Sequence, residues 1–221
     1  MNKTVVITGA NRGIGLAMAK IFKSEGYNVY GICRNTSTEL EQLGINVVND
    51  VDVATSAGIA NMKKALTGVF IDVLICNAGI LRDESLSDLN LDTIREQFEV
   101  NAIAPLNIVD TLQSNLVEGS KVAMITSRMG SIADNGSGGR YGYRMSKAAL
   151  NAAAMSLSKD LYSQGVSVGI YHPGYVQTDM VNNSGDISAN EAASRIIGLI
   201  DSLSLEETGV FKHSNGELLP W

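Results

Sequence analysis

Apolar positions along the 221-residue chain fall into two alternating patterns. Short β-branched runs at Thr4 to Thr8, Asn28 to Ile32, Ile45 to Val48, Ile71 to Cys76, Lys121 to Thr126 and Val166 to Tyr171 predict strands, with a further strand at Gly209 to Lys212. Between them, Gly13 to Glu25, Thr55 to Leu66, Leu91 to Leu116, Tyr141 to Ser163 and Ser188 to Leu203 carry apolar residues at helical spacing. Strands that are continuously apolar must be covered on both faces, and helices between strands make the crossovers parallel. The pattern predicts an α/β fold with one doubly wound parallel sheet of about seven strands and helices on both faces. No linker or internal repeat divides residues 1–221, so a single domain is expected.

Composition narrows the partners. With 45% hydrophobic and 18% charged residues the chain can bury a full core. Its 17 Lys and Arg against 23 Asp and Glu give a net charge of −6, the wrong sign for tracking a phosphate backbone, so nucleic acid is not expected as a partner. Cys33 and Cys76 have no third thiol near them and read as reduced core thiols. No apolar run approaches the roughly 18 residues that span a bilayer, and the first one stops at Ile7, too short for a signal peptide. No membrane association and a cytoplasmic location are expected. The small-residue stretch Ala148 to Ala154 allows a second helix to approach closely, so a homo-oligomer, dimer or tetramer, is expected, although packing onto the sheet accounts for the same alanines.

The first strand runs into Thr8-Gly9-Ala10-Asn11-Arg12-Gly13-Ile14-Gly15 and then into a helix. Glycines let a backbone turn tightly beside a pyrophosphate, and a helix N-terminus offers unpaired N–H donors and the positive end of its dipole. The arrangement is that of a Rossmann-type dinucleotide loop, with Gly9, Asn11, Arg12, Gly13, Ile14 and Gly15 as candidate contacts.

The spacing Thr-Gly-x-x-x-Gly-x-Gly resembles the short-chain dehydrogenase/reductase family, and further segments match it in order: Cys76-Asn77-Ala78-Gly79, Asn101, Ser127, Tyr143 with Lys147, and Pro173-Gly174. The likeness covers nearly the whole chain. Within that family, Gly136 to Lys147 and the tail Gly216 to Trp221 look most like the sniffer and C-factor group of carbonyl reductases.

A Rossmann site selective for NAD places a carboxylate at the end of the second strand, about 20 residues past the loop. Here that place holds Cys33, followed by Arg34. Arg12 and Arg34 can converge on a 2′-phosphate, so NADP(H) is the expected cofactor. The resemblance further implies that Asp52 and the Val53 backbone meet the adenine, with Asp50-Val51 as a competing register. It also implies that Asn77, Ala78 and Gly79 line the cofactor, and that Pro173, the Val176 backbone and the Thr178 hydroxyl hold the nicotinamide amide.

Reducing a carbonyl requires hydride at carbon and a proton at oxygen. Tyr143 and Lys147 stand four apart on a predicted helix and project from one face; an ammonium there favours phenolate and lowers the phenol pKa. Lys147 can also hold the nicotinamide ribose. Ser127, 16 residues before Tyr143 at a strand end, can bond the substrate carbonyl and stabilise charge developing on its oxygen. Asn101 completes the family's catalytic tetrad. Four residues later Pro105 has no N–H for the Asn101 carbonyl, so a kink is expected that frees this oxygen, which in the family holds a water leading to the lysine.

Only a short stretch separates Thr178 from the helix near Ser188, which leaves no room for a large lid. The two histidines, His172 and His213, have no partners at metal-ligand spacing, and no metal is expected. The reading is an NADPH-dependent oxidoreductase acting on an aldehyde, ketone or quinone-like carbonyl of a small molecule. The alternative is an NADP(H)-binding signalling or regulatory protein of C-factor type. A sugar-nucleotide epimerase would need more chain and a different loop spacing. Arg82, Met129, Tyr175 and Trp221, which can line a substrate pocket, follow no motif.

Overall fold

A computed structural model describes residues 2–221. The chain alternates strand and helix from the start: β1 (Thr4–Thr8), α1 (Gly13–Ser24), β2 (Asn28–Ile32), α2 (Thr38–Glu41), β3 (Asn46–Val48), α3 (Ser56–Ala65) and β4 (Ile71–Cys76). Then come α4 (Leu91–Phe98), a π-helical stretch (Glu99–Ile103), α5 (Ala104–Leu112), β5 (Leu116–Ile125), α6 (Tyr141–Asp160) and β6 (Ser167–His172). The last elements are the two-residue strands β7 (Val176–Gln177) and β8 (Ile187–Ser188), α7 (Ala189–Ser202) and β9 (Val210–His213).

Seven strands form one sheet in the order β3-β2-β1-β4-β5-β6-β9, every neighbouring pair parallel. The order reverses direction between β1 and β4, and such switch points open a crevice at the carboxyl ends of the strands. Continuous burial of β1, β6 and most of β4 follows from cover on both faces. On one side Val6, Leu74, Met124 and Ile170 pack with α3, α5 and α6. On the other, Val5, Ile7, Ile75 and Tyr171 pack with α1 and α7 through Met18, Phe22 and Ile196. Within the alanine-rich part of α6, Leu150 and Ala154 enter the core while Ala152 stays exposed, so sheet packing uses one side of that stretch.

Three local differences from the sequence pattern have plain causes. The predicted helix at Leu91 to Leu116 ends at Leu112, and β5 begins at Leu116 because its first half, Val117 to Ser120, is polar enough to hide a strand. Around Asn101 the helix widens into a π turn, with the Ala104 N–H reaching the Glu99 carbonyl, and α5 restarts with Pro105 in its first turn. Proline does break the ladder there, but as an inserted turn rather than a simple kink. After β9 the tail folds back along the sheet edge: the His213 N–H donates to Glu217 O at 2.8 Å and the Leu219 N–H to Phe211 O at 3.0 Å.

Candidate active site

The carboxyl ends of β1, β2, β4, β5 and β6 open onto a cleft of about 710 Å³. That volume lies within the range of small-molecule and cofactor sites. At its floor the β1–α1 loop supplies Gly9, Asn11, Arg12, Gly13 and Ile14. Gly9 has φ +66°, and a Cβ there would sit 3.0 Å from Ala78 Cα. Gly15 does not face the cleft. A Cβ on it would overlap the Gly9 carbonyl oxygen and lie 2.6 Å from Asn77 Nδ2, so this glycine allows the helix to press against the loop. No side chain caps the first turn of α1, because Arg12 occupies the cap position and bonds elsewhere. Its N–H groups therefore remain free for an anion.

The loop is tied to the β4 end by a compact set of bonds. Thr8 Oγ1 accepts from the N–H groups of Asn77 and Ala78 at 3.0 and 3.1 Å, and Asn77 Nδ2 donates to the Thr8 and Gly9 carbonyls at 3.0 and 3.3 Å. Asn77 thus braces the phosphate loop as well as lining the cleft with Ala78 and Gly79.

At one end of the cleft stand Cys33, Arg34, Val51, Asp52, Val53 and Ala54. Asp52 lines it and Asp50 does not; Asp50 turns away through a left-handed backbone position (φ 58°). Asp52 Oδ1 accepts from the Ala54 N–H at 3.0 Å, and its other oxygen lies 3.8 Å from Arg34 Nη1. Arg12 lies 3.4 Å from Asp179 across the cleft. Both arginines remain mostly exposed, and such pairs cost little to rearrange.

At the other end are Tyr143, Lys147, Pro173 and Thr178, while Val176 is buried in β7 and is not part of the lining. Lys147 is buried; its Nζ donates to Ile125 O at 3.0 Å and sits 5.8 Å from the Tyr143 ring centre. Burial lowers its pKa from 10.5 to about 8. Burial raises the Tyr143 phenol above its usual 10.0, opposed by a hydrogen bond with the Ser127 side chain and by Arg140. The expected lowering of the phenol is thus corrected: desolvation outweighs the contributions of Ser127 and Arg140, and the phenol holds its proton at neutral pH. Ser127 also accepts from the Met129 N–H at 3.1 Å.

Asn101 is fully buried behind this end rather than on the cleft wall. Its Oδ1 accepts from the Ile80 N–H at 2.8 Å, and its Nδ2 donates to Ile80 O at 2.8 Å and to Ser146 Oγ at 3.1 Å. Its side chain therefore fixes the strand end after β4 against the helix that carries Tyr143 and Lys147. His172 is buried against His213, with ring centres 4.9 Å apart, and burial lowers its pKa to about 3. Among the described residues no group of three His, Cys, Asp or Glu side chains is placed to hold a metal. Likewise no described helix is long and apolar enough to cross a membrane.

The sequence placed Thr8 in the loop motif without assigning its hydroxyl a role, and did not single out Asp179 and Asn35, which line the cleft outside any motif. Of the side chains set aside for substrate, Arg82 lines the cleft and pairs with Glu96 at 3.1 Å. Met129, Tyr175 and Trp221 lie outside its lining.

The short chain dehydrogenase family profile matches residues 3–188. The chain is 37% identical over 224 residues to 1-hydroxy-2-glutathionyl-2-methyl-3-butene dehydrogenase of Rhodococcus sp. (strain AD45), covering 99% of each. It is 40% identical over 154 residues to the C-signal protein of Myxococcus xanthus, covering 68% of this chain and 93% of that one. The NADPH-bound carbonyl reductase from chicken fatty liver superposes with a TM-score of 0.87 at 27% identity, over 100% of this chain and 99% of its own.

Proposed function

We propose, since the chain belongs to the short chain dehydrogenase family, that it is an NADPH-dependent reductase of small-molecule aldehydes, ketones or quinone-like carbonyls. The observation that carries this reading is the buried Tyr143, which lines the cleft beside Lys147 at the end opposite Arg34 and Asp52. The cleft's volume, the uncapped first turn of α1 and the Gly9 cradle suit a dinucleotide. Arg12 and Arg34 would hold a 2′-phosphate, Asp52 and Val53 the adenine, and Asn77 to Gly79 the ribose side. Lys147 would hold the nicotinamide ribose, and Pro173, Val176 and Thr178 its amide. NADPH, when bound, supplies a hydride for the carbonyl carbon.

In this reading Ser127 Oγ donates a hydrogen bond to the substrate oxygen and stabilises charge developing there. Tyr143 delivers its phenolic proton to the same oxygen, and its raised pKa keeps that proton available at neutral pH. Lys147 is a buried ammonium with a pKa near 8 and stabilises the resulting phenolate. Asn101 holds the β4 end and the Ser146 turn in register.

The test is NADPH oxidation against quinones, dicarbonyls and aromatic aldehydes, repeated with Tyr143→Phe. The variant is expected to lose activity by roughly 10²- to 10⁴-fold, the usual contribution of a positioned acid, with NADPH affinity within a few-fold of the parent. An active Tyr143→Phe enzyme would refute the assignment. The likeness to C-signal supports a second reading, an NADP(H)-binding signalling protein. It predicts tight cofactor binding without turnover of any carbonyl.

A further inference from the structure

We infer that Glu84 is a positioning residue for Tyr143: its carboxylate, from the loop after β4, caps the first turn of α6 and locks that turn to α4. Resting on the reductase reading for its catalytic consequence, this assigns a role to a side chain outside every motif of the sequence.

Among the described residues Glu84 is the one carboxylate that is buried, at 4% exposure. Charged side chains are rarely enclosed this far unless their oxygens are fully bonded. All the bonding partners come from the helices around the active site. Glu84 Oε1 accepts from Gln97 Nε2 at 2.6 Å and from Thr93 Oγ1 at 2.8 Å, both on α4. Oε2 accepts from the backbone N–H of Gly142 at 3.2 Å, and the Glu84 carbonyl accepts from the Arg140 N–H at 2.8 Å. Gly142 immediately precedes Tyr143.

The first turn of α6 needs this outside help. Its cap position is Arg140, held in a left-handed conformation (φ 51°) with no side-chain cap. An arginine there supplies no acceptor for the orphan N–H groups, and a carboxylate at a helix N-terminus both accepts from them and complements the dipole. Glu84 does from a distance what a capping Ser or Asp does locally. The fit leaves no slack. A Cβ on Gly142 would overlap Gln97 Nε2 and sit 3.0 Å from Ile94 Cα, so only glycine admits the helix to this distance.

Gln97 extends the clamp: it is fully buried, and its Oε1 accepts from the Arg82 N–H at 2.9 Å. One turn further along lies Asn101, which ties Ile80 to Ser146. Glu84 and Asn101 thus pin α6 to the same loop on either side of Tyr143. Loss of the Glu84 bonds frees the turn that aims the phenol at Ser127, while the Gly9 and Arg34 regions are untouched.

The experiment compares the parent with Glu84→Ala and Glu84→Gln. It measures kcat, the KM for NADPH, and the titration of Tyr143 followed by NMR of ring-labelled tyrosine, assigned by difference with Tyr143→Phe. Glu84→Ala is expected to lower kcat at least tenfold, leave the KM for NADPH within twofold, and displace the Tyr143 titration. Glu84→Gln, which keeps an acceptor for the Gly142 N–H but turns an NH2 donor toward Gln97 and Thr93, is expected to recover part of kcat and of the parent titration. A folded Glu84→Ala protein with parental kcat and titration would overturn the inference, as would equal loss in both variants. If Glu84→Ala does not fold, Glu84→Asp, whose shorter side chain withdraws the carboxylate from the Gly142 N–H, takes its place; parental kcat and titration in that variant would equally overturn it. If the parent turns over no carbonyl, the reductase reading fails, and the Tyr143 titration still decides the role of Glu84.

Discussion

Replacing Lys147 by methionine should make the cofactor-free protein more stable and inactive at once. Both halves follow from one buried ammonium. Lys147 has the Ile125 carbonyl 3.0 Å away and, among the described residues, no salt-bridge partner, and burial lowers its pKa from 10.5 to about 8. At about 1.4 kcal/mol per pH unit, that displacement is a native-state penalty of about 3 kcal/mol whenever the amine is charged. Methionine fills similar volume without the charge but leaves the Ile125 carbonyl short of a donor, which returns about 1 kcal/mol or more. The net expectation at pH 7 is a gain of roughly 1–2 kcal/mol, or about 2–8 °C in Tm for a chain of this size. The pH dependence carries the sign. Below pH 8 lysine is protonated in both the folded and unfolded states, and the penalty is full. Between about 8 and 10.5 the unfolded chain binds the proton that the folded one has released, so the parent gains stability as pH rises. The advantage of the variant should therefore shrink by about 1.4 kcal/mol per pH unit above 8, vanish between about pH 9 and 9.5, and reverse by pH 10. Urea unfolding of both proteins at pH 7, 8.5 and 10 measures it. A Lys147→Met protein that is less stable than the parent at pH 7, or a difference flat across the three pH values, refutes the reasoning.

Two further substitutions test the cofactor half of the cleft. Gly15→Ala should cost about 1–3 kcal/mol of stability, the usual range for overpacking, and weaken NADPH binding, because the new methyl meets the Gly9 backbone rather than a movable side-chain tip; calorimetry with parental values for both would sink the packing argument. Arg34→Ala should weaken NADPH by roughly tenfold, about 1.4 kcal/mol, and leave NADH within a few-fold, as read by fluorescence titration of each nucleotide; equal loss for both would remove the 2′-phosphate assignment.

Much of this molecule was legible because its strands are covered on both faces and so stay apolar from end to end, as in Thr4–Thr8 and Ile71–Cys76. The order of glycines, Tyr143 and Lys147 could be read in the same way, since turn geometry and i, i+4 spacing are local properties. Other features escaped for the opposite reason. The start of β5 is polar, α2 is a single turn, and β7 and β8 are two residues each, too short for any period to show. Glu84 stands between Asp83 and Ser85 in a loop, where a carboxylate looks solvated; only the fold brings Gly142, 58 positions away, to its oxygen. The pKa balance at Tyr143 is set by burial, which sequence does not display and which outweighs Ser127 and Arg140.

The returning tail along β9 has a consequence for handling the protein. A bare outermost strand is a template on which foreign chains can lengthen a sheet, the usual seed of precipitation. Here residues 217–219 occupy those backbone groups, and Phe211 stacks on Trp221 with ring centres 5.2 Å apart, as a built-in selvage. Trimming the last five residues should leave the chemistry in place and yield a preparation that clouds on warming.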